Sequence, residues 1–217
     1  MTAEMGIEYF DKLARTIVDG DKDGCISLIE EGLVKDVNPL EILENGLARG
    51  IKKVGDDFGA GLCFLPELIG AADVMKEGAA ILDKKIIAAG KTRKSLGKIV
   101  IGTIQGDIHD IGKSVVAAVL QANGYDVVDL GIDVEEKRFI EAVKEHGADC
   151  VAMSSLLTLT IQRMGNVIQK LKEDGLREKV KVIVGGAPVT QDFANEIGAD
   201  AFGRDAADAV AKMNVLL

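Results

Sequence analysis

The chain has no tryptophan, and two tyrosines and six phenylalanines are its only aromatic residues, 4 % of the total. Scarce aromatics beside 25 glycines suit small-residue packing around a bulky ligand, although glycine-rich α/β proteins without ligands also exist. A basic stripe is missing as well. The 26 Lys and Arg are outnumbered by 35 Asp and Glu, a net charge of −9 that repels phosphate backbones and argues against nucleic acid as a partner. Residues 1–90 hold most of the excess, with 17 acidic against 10 basic groups, and residues 91–217 have 18 against 16. Three cysteines (Cys25, Cys63, Cys150) are odd in number and match no metal-ligand spacing, so they read as reduced thiols, mostly in the core. No signal-peptide pattern and no apolar run of spanning length occurs, which leads us to expect a cytoplasmic protein with no membrane partner.

What is present divides the 217 residues into two parts. Residues 4–89 read as helix throughout. Ile7, Phe10, Leu13, Ala14 and Ile17 recur at helical spacing, and a second helix is expected over Lys22 to Lys35. The third starts at Asn38 as N-cap, with Pro39 in the first turn and Glu41 three residues after the cap. It runs through Ile42, Leu43, Leu47, Ile51 and Val54 towards Phe58. The fourth begins around Leu65-Pro66. Four helices with short connections predict an up-and-down four-helix bundle at 1–90, whose plainest use is dimerisation or docking. The polar stretch 90–98 reads as a linker, and 91–217 as a second domain. There, strand-like runs at Lys98–Ile104, Tyr125–Leu130, Cys150–Ser154, Val180–Val184 and Ala201–Phe202 alternate with helical ones. That alternation predicts a doubly wound α/β domain with a five-stranded parallel sheet, flavodoxin-like in the order 2-1-3-4-5.

Three loops at the carboxyl ends of strands carry the unusual residues. The first holds Asp107, His109 and Gly112; the second Ser154, Leu156, Thr158 and Thr160; the third Gly185 and Gly186. In the expected order the three strands are neighbours, so the loops converge on a histidine with an adjacent acid above a slot of small residues. His109, one of two histidines, has several readings. It fits a solvated bystander. Gly112-Lys113-Ser114 ends like a Walker sequence, but five residues instead of four separate Gly106 from Gly112, and Asp107 and Asp110 would face the anion. A catalytic zinc would need more ligands, and His146, at a helix end before Gly147, reads as a surface residue. Alternatively, His109 is a single axial metal ligand oriented by Asp107, and the metal then arrives inside a macrocycle.

Asp107-x-His109-x-x-Gly112, 41 residues, Ser154-x-Leu156, 28 residues and Gly185-Gly186 resemble the cobalamin-binding signature of corrinoid-dependent methyltransferases. Val54-Gly55-Asp56-Asp57-Phe58-Gly59-Ala60-Gly61 and Phe64-Leu65-Pro66-Glu67-Leu68 look like the helical cap that covers the corrin in methionine synthase. Length and domain order are similar to the stand-alone corrinoid proteins of methylamine, methanol, betaine and methoxy-aromatic metabolism in methanogens and acetogens. The resemblance implies a cobalamin or related corrinoid bound His-on and base-off, with His109 as the cobalt ligand. Asp107 and Thr160 would then form its proton relay. Ser154, Thr158, Gly185 and Gly186 would line the channel for the nucleotide tail, Gly112 and Leu156 would be further cofactor-binding residues, and Phe58 and Leu65 would cover the upper face. It further implies a methyl carrier rather than a complete enzyme. Co(I) would take a methyl group from a substrate-specific methyltransferase, and methyl-Co(III) would give it to a second one acting on a thiol or tetrahydrofolate. A reductive activase would be a further partner, and Gly59, Gly61 and the linker candidate hinges. A cobalamin-dependent sensor or regulator is the alternative; such proteins usually carry a DNA-binding segment and a Trp in the bundle, and this chain has no Trp. A carbon-skeleton mutase subunit shares the Asp-x-His motif but lacks the helical cap.

Overall fold

The computed structural model describes residues 3–88 and 95–217. The chain falls into an N-terminal compact unit, which includes 121–124, and a C-terminal one of 95–120 and 125–217. Most of the expected linker, residues 90–94, lies outside the described residues.

The N-terminal unit contains α1 (Ala3–Val18), α2 (Lys22–Val34), a continuous rod and α5 (Leu65–Ala88). The rod is α3 (Pro39–Glu41), a π-helical stretch Ile42–Ala48, and α4 (Arg49–Gly59). Side chains set the starts. Asp21 accepts the Gly24 N–H at 2.9 Å, Asn38 that of Leu40 at 3.1 Å, and Glu67 reaches back to the Phe64 N–H at 2.7 Å. Leu13, Ile17, Ile29, Leu47, Leu68 and Leu82 are fully buried and form the apolar stripes that hold the helices together. The π-helical stretch departs from the α-helix expected through 58. Its buried residues, Ile42, Leu43, Gly46 and Leu47, are spaced by one, four and five, which fits either winding. At Gly50 a Cβ would lie 2.6 Å from the Ala14 carbonyl oxygen, so glycine permits the close approach of the rod to α1.

The C-terminal unit has five parallel strands in the order β2-β1-β3-β4-β5, as the sequence pattern predicts. They are β1 (Lys98–Thr103), β2 (Asp126–Asp129), β3 (Cys150–Ser154), β4 (Lys181–Gly185) and β5 (Ala201–Gly203). The helices are α6 (Ile111–Ala122), α7 (Glu136–His146), α8 (Gln162–Glu173), α9 (Gln191–Ile197) and α10 (Ala206–Leu216). Alternation along the strands sorts the two faces. Val100, Val151, Met153 and Val182 join Phe139, Met164 and Ile168 in the main core, on the face of α7 and α8. The intervening Ile101, Ala152 and Ile183 are in register with one another and face the side of α6 and α10, where the packing leaves a cavity.

Candidate functional site

The loop between β1 and α6 is fixed by its own polar groups. Thr103 donates its hydroxyl to the His109 carbonyl at 2.8 Å, and the Asp107 N–H donates to Ile104 O at 3.1 Å. Asp133 supplies its N–H to Asp107 O at 3.0 Å and a carboxylate oxygen to the Gly106 N–H at 2.7 Å. This frame turns the Asp107 side chain fully inward, 0 % exposed, and leaves the imidazole of His109 47 % exposed.

Asp107 is saturated with donors. Oδ1 accepts the His109 backbone N–H at 2.9 Å and lies 2.6 Å from His109 Nδ1. Oδ2 accepts the Ser155 hydroxyl at 2.8 Å and the Leu156 N–H at 2.7 Å. Burial pushes this carboxyl up, but the N–H groups of His109 and Leu156, the imidazole and the Ser155 hydroxyl outweigh it and hold it down at about 2. It is therefore a carboxylate at neutral pH, and a carboxylate only accepts. The proton of the 2.6 Å contact must sit on Nδ1, so in the neutral ring the lone pair is on Nε2, which has no hydrogen-bond partner among the described residues.

The hydrogen-bonded line from Asp107 is one residue longer than the resemblance implies. Thr160 is buried, yet it does not hydrogen-bond to Asp107. Its hydroxyl lies 2.7 Å from Ser155 Oγ and 3.0 Å from the Leu157 carbonyl, and Ser155 is the group that reaches the carboxylate. Ser155 was hidden inside Ser154-x-Leu156. The signal that could find it is alternation: Ser154 shares a row with Thr103 and Gly185, so the next residue turns the other way.

The cavity, of about 400 Å³, opens beside His109. Of the residues expected to bind the cofactor, Gly112, Ser154, Leu156, Gly185 and Gly186 line it together with His109. Thr158 does not: it is exposed in the turn that follows Leu157 and lies outside the lining. Gly186, at φ +121°, brings the chain so close that a Cβ would stand 1.8 Å from the Ser155 carbonyl oxygen. Gly112 is different: a Cβ there meets nothing within 4 Å. The loop after β5 adds Arg204, Asp205 and Ala206 to the lining, which the short last strand did not reveal.

Lys113 explains the Walker-like ending. Its buried ammonium pairs with Asp110 at 2.9 Å and with Asp129, so it is not offered to an anion. His146 is the last residue of α7, next to the left-handed Gly147, and stands 3.8 Å from Glu145 only. Among the described residues no three His, Cys, Asp or Glu side chains gather to hold a metal ion. A metal at Nε2 of His109 must bring its other ligands with it, and a corrin ring does so; the donor set and the small-residue cavity both fit a corrinoid. Cys25 and Cys150 are buried, and Cys63 shares its thiol with the Val54 carbonyl at 3.6 Å. Phe58, in the last turn of α4, and Leu65, the first residue of α5, are half-buried in the N-terminal unit. They flank a loop with exposed Leu62 and Phe64. Among the described residues no helix is long and apolar enough to cross a membrane.

Two family models, each described as a B12 binding domain, match the chain, one over residues 9–83 and the other over 97–211. Trimethylamine corrinoid protein 2 of Methanosarcina mazei is 44 % identical, covering 97 % of this chain and 96 % of the relative. Dimethylamine corrinoid protein 2 of Methanosarcina acetivorans is 47 % identical over the same shares, 97 % and 96 %. Among solved structures, the methanol:cobalamin methyltransferase complex of Methanosarcina barkeri matches with a TM-score of 0.82 and 31 % identity, covering 96 % of this chain and 82 % of that one. With an imidazole oriented by a buried carboxylate beside a small-residue cavity, and relatives of this kind along nearly its whole length, the chain belongs to the family of B12-binding corrinoid proteins.

Proposed function

We propose that this chain is a methyl carrier that works between two methyltransferases. The first is specific for a small methylated substrate, and the second acts on a thiol or tetrahydrofolate. A reductive activase and a cytoplasmic setting complete the reading; the free cysteines are consistent with that compartment. When bound, the corrinoid supplies the cobalt centre to and from which the methyl group moves. The chain supplies the rest. Nε2 of His109 would hold the cobalt, and Asp107 keeps the proton on Nδ1 and so would set how strongly Nε2 binds. Ser155 and Thr160 hold the carboxylate against that proton, and when His109 binds or releases, the change of charge is shared along this line. Gly112, Ser154, Gly185 and Gly186 receive the nucleotide tail in the cavity. The relatives are named for methylamines, and the structural match for a methanol:cobalamin methyltransferase complex, which supports a methyltransferase partner and a small methylated donor.

The observation that carries this reading is the 2.6 Å contact that commits His109 Nδ1 to a buried carboxylate. Purified chain reconstituted with methylcobalamin tests it by absorbance spectroscopy. The wild type is expected to show the shift of a base-off, His-on corrinoid and His109→Ala a different spectrum. Refusal of the corrinoid by the folded chain, or one spectrum for both proteins, overturns the assignment.

A further inference from the structure

We propose that the cavity selects its corrinoid by the class of nucleotide base. It accepts an aromatic base with little hydrogen-bonding edge, of the benzimidazole or phenol kind, and discriminates against a purine. This rests on the reading that the cavity receives the tail.

The strand register divides the cavity into two levels. At the carboxyl ends of the strands, Ser154, Gly185 and Gly203 stand side by side. The Ser154 hydroxyl, beside two glycines that carry no side chain, suits a sugar and a phosphodiester at this level. One step deeper, the row across β1, β3 and β4 is Ile101, Ala152 and Ile183, the last two lying two residues before Ser154 and Gly185. Val115 and Val116 of α6 and Ala209 of α10 complete the lining on the helical side. Every side chain of the deeper level is alkyl. The backbone there offers nothing either, because β1, β3 and β4 each pair with strands on both sides and α6 and α10 bond within themselves. Lys113, the one ammonium in the lining, is already held by Asp110 and Asp129.

A benzimidazole can leave water for such a place at little cost. Adenine brings an exocyclic amine and additional ring nitrogens, which lose their water and find no replacement. One buried unpaired polar group of this kind weakens binding by about tenfold to a hundredfold.

The test titrates the corrinoid-free chain with cobalamin, with a cobamide bearing adenine as its base, and with cobinamide, which has no nucleotide. The readout is the absorbance change and the dissociation constant. Expected is cobalamin as the strongest of the three, with the adenine cobamide about tenfold to a hundredfold weaker. Val116→Asn, and Ala209→Ser as a milder change, place a polar group in the deep level. Each is expected to narrow the cobalamin-to-adenine ratio by about threefold to tenfold. Comparing that ratio between wild type and variant cancels the cost of detaching each base from cobalt in the free corrinoid. An unchanged ratio in two folded variants overturns the base selection and leaves the methyl-carrier reading standing. Cobinamide bound as tightly as cobalamin also overturns the selection, since the cavity then takes no tail. Failure of all three corrinoids to bind overturns the reading beneath it.

Discussion

Replacing Asp107 by asparagine is nearly isosteric, yet the geometry makes it a harsh change. Each carboxylate oxygen accepts a backbone N–H, Oδ1 from His109 and Oδ2 from Leu156. The new amide has one oxygen, so whichever way it turns, its NH2 group faces a main-chain donor that cannot move. One buried donor is left unpaired, and the charge-assisted bonds from the imidazole and from Ser155 are weakened or lost. Together these amount to a loss of about 3 kcal/mol at neutral pH. The loss should also depend on pH. The folded-state carboxyl titrates at about 2 instead of the ordinary 3.8, so the folded chain holds fewer protons than the unfolded one between these values. Its contribution is complete above pH ~4 and fades as the pH falls through ~2, and the difference in pKa is equivalent to about 2 kcal/mol. Urea unfolding of the corrinoid-free wild type and of Asp107→Asn, followed at pH 7 and near pH 2, should show a gap of about 3 kcal/mol narrowing to about 1. A gap that stays constant with pH would refute the assigned ionisation. A variant as stable as the wild type would refute the hydrogen-bond geometry itself.

Ser155→Ala removes one of the four donors to the carboxylate and should cost about 2 kcal/mol. Thr160→Val should cost about 1 kcal/mol or less, since Thr160 reaches Asp107 only through Ser155. Thermal unfolding of both variants would expose an error if that order were reversed. Gly186→Ala forces a Cβ into the Ser155 carbonyl at a positive φ, and a loss of about 3 kcal/mol together with weakened corrinoid binding is expected. Gly112→Ala meets open space, so its circular dichroism melt should match the wild type, and equal melts for both glycine variants would contradict the packing.

The sheet order was legible because each strand is a short apolar run bounded by turn residues and each connection contains a helical pattern. These features allow few topologies. The helices of the N-terminal unit were legible, with one of their caps: Asn38 and Pro39 start a helix where the pattern requires one. The π-helical winding of Ile42–Ala48 was not, because its buried positions repeat at a spacing that both windings satisfy. In the candidate site the contact of Asp107 with His109 was legible, since they are two residues apart and one loop fixes it. Thr158 and Thr160 show the limit of spacing. Both lie in one turn, but only the second is turned inward, and no count of residues states which way a loop side chain points.

Ser155 carries that lesson furthest. Its neighbour Ser154 occupies the motif position and lines the cavity, while Ser155, on the opposite side of the strand end, touches the buried carboxylate. Two adjacent serines thus serve the two sides of one site. The first meets whatever enters between the sheet and the helices, and the second holds the acid that orients His109. The period-two geometry of a strand makes that division unavoidable. It also explains why the approach of Gly186 must be so close: the β4 loop passes directly over the Ser155 carbonyl, packing the relay and the cavity wall against each other. A substitution that thickens this contact should therefore disturb the imidazole and the cavity together, whereas one at Gly112, where there is room, should alter the cavity alone.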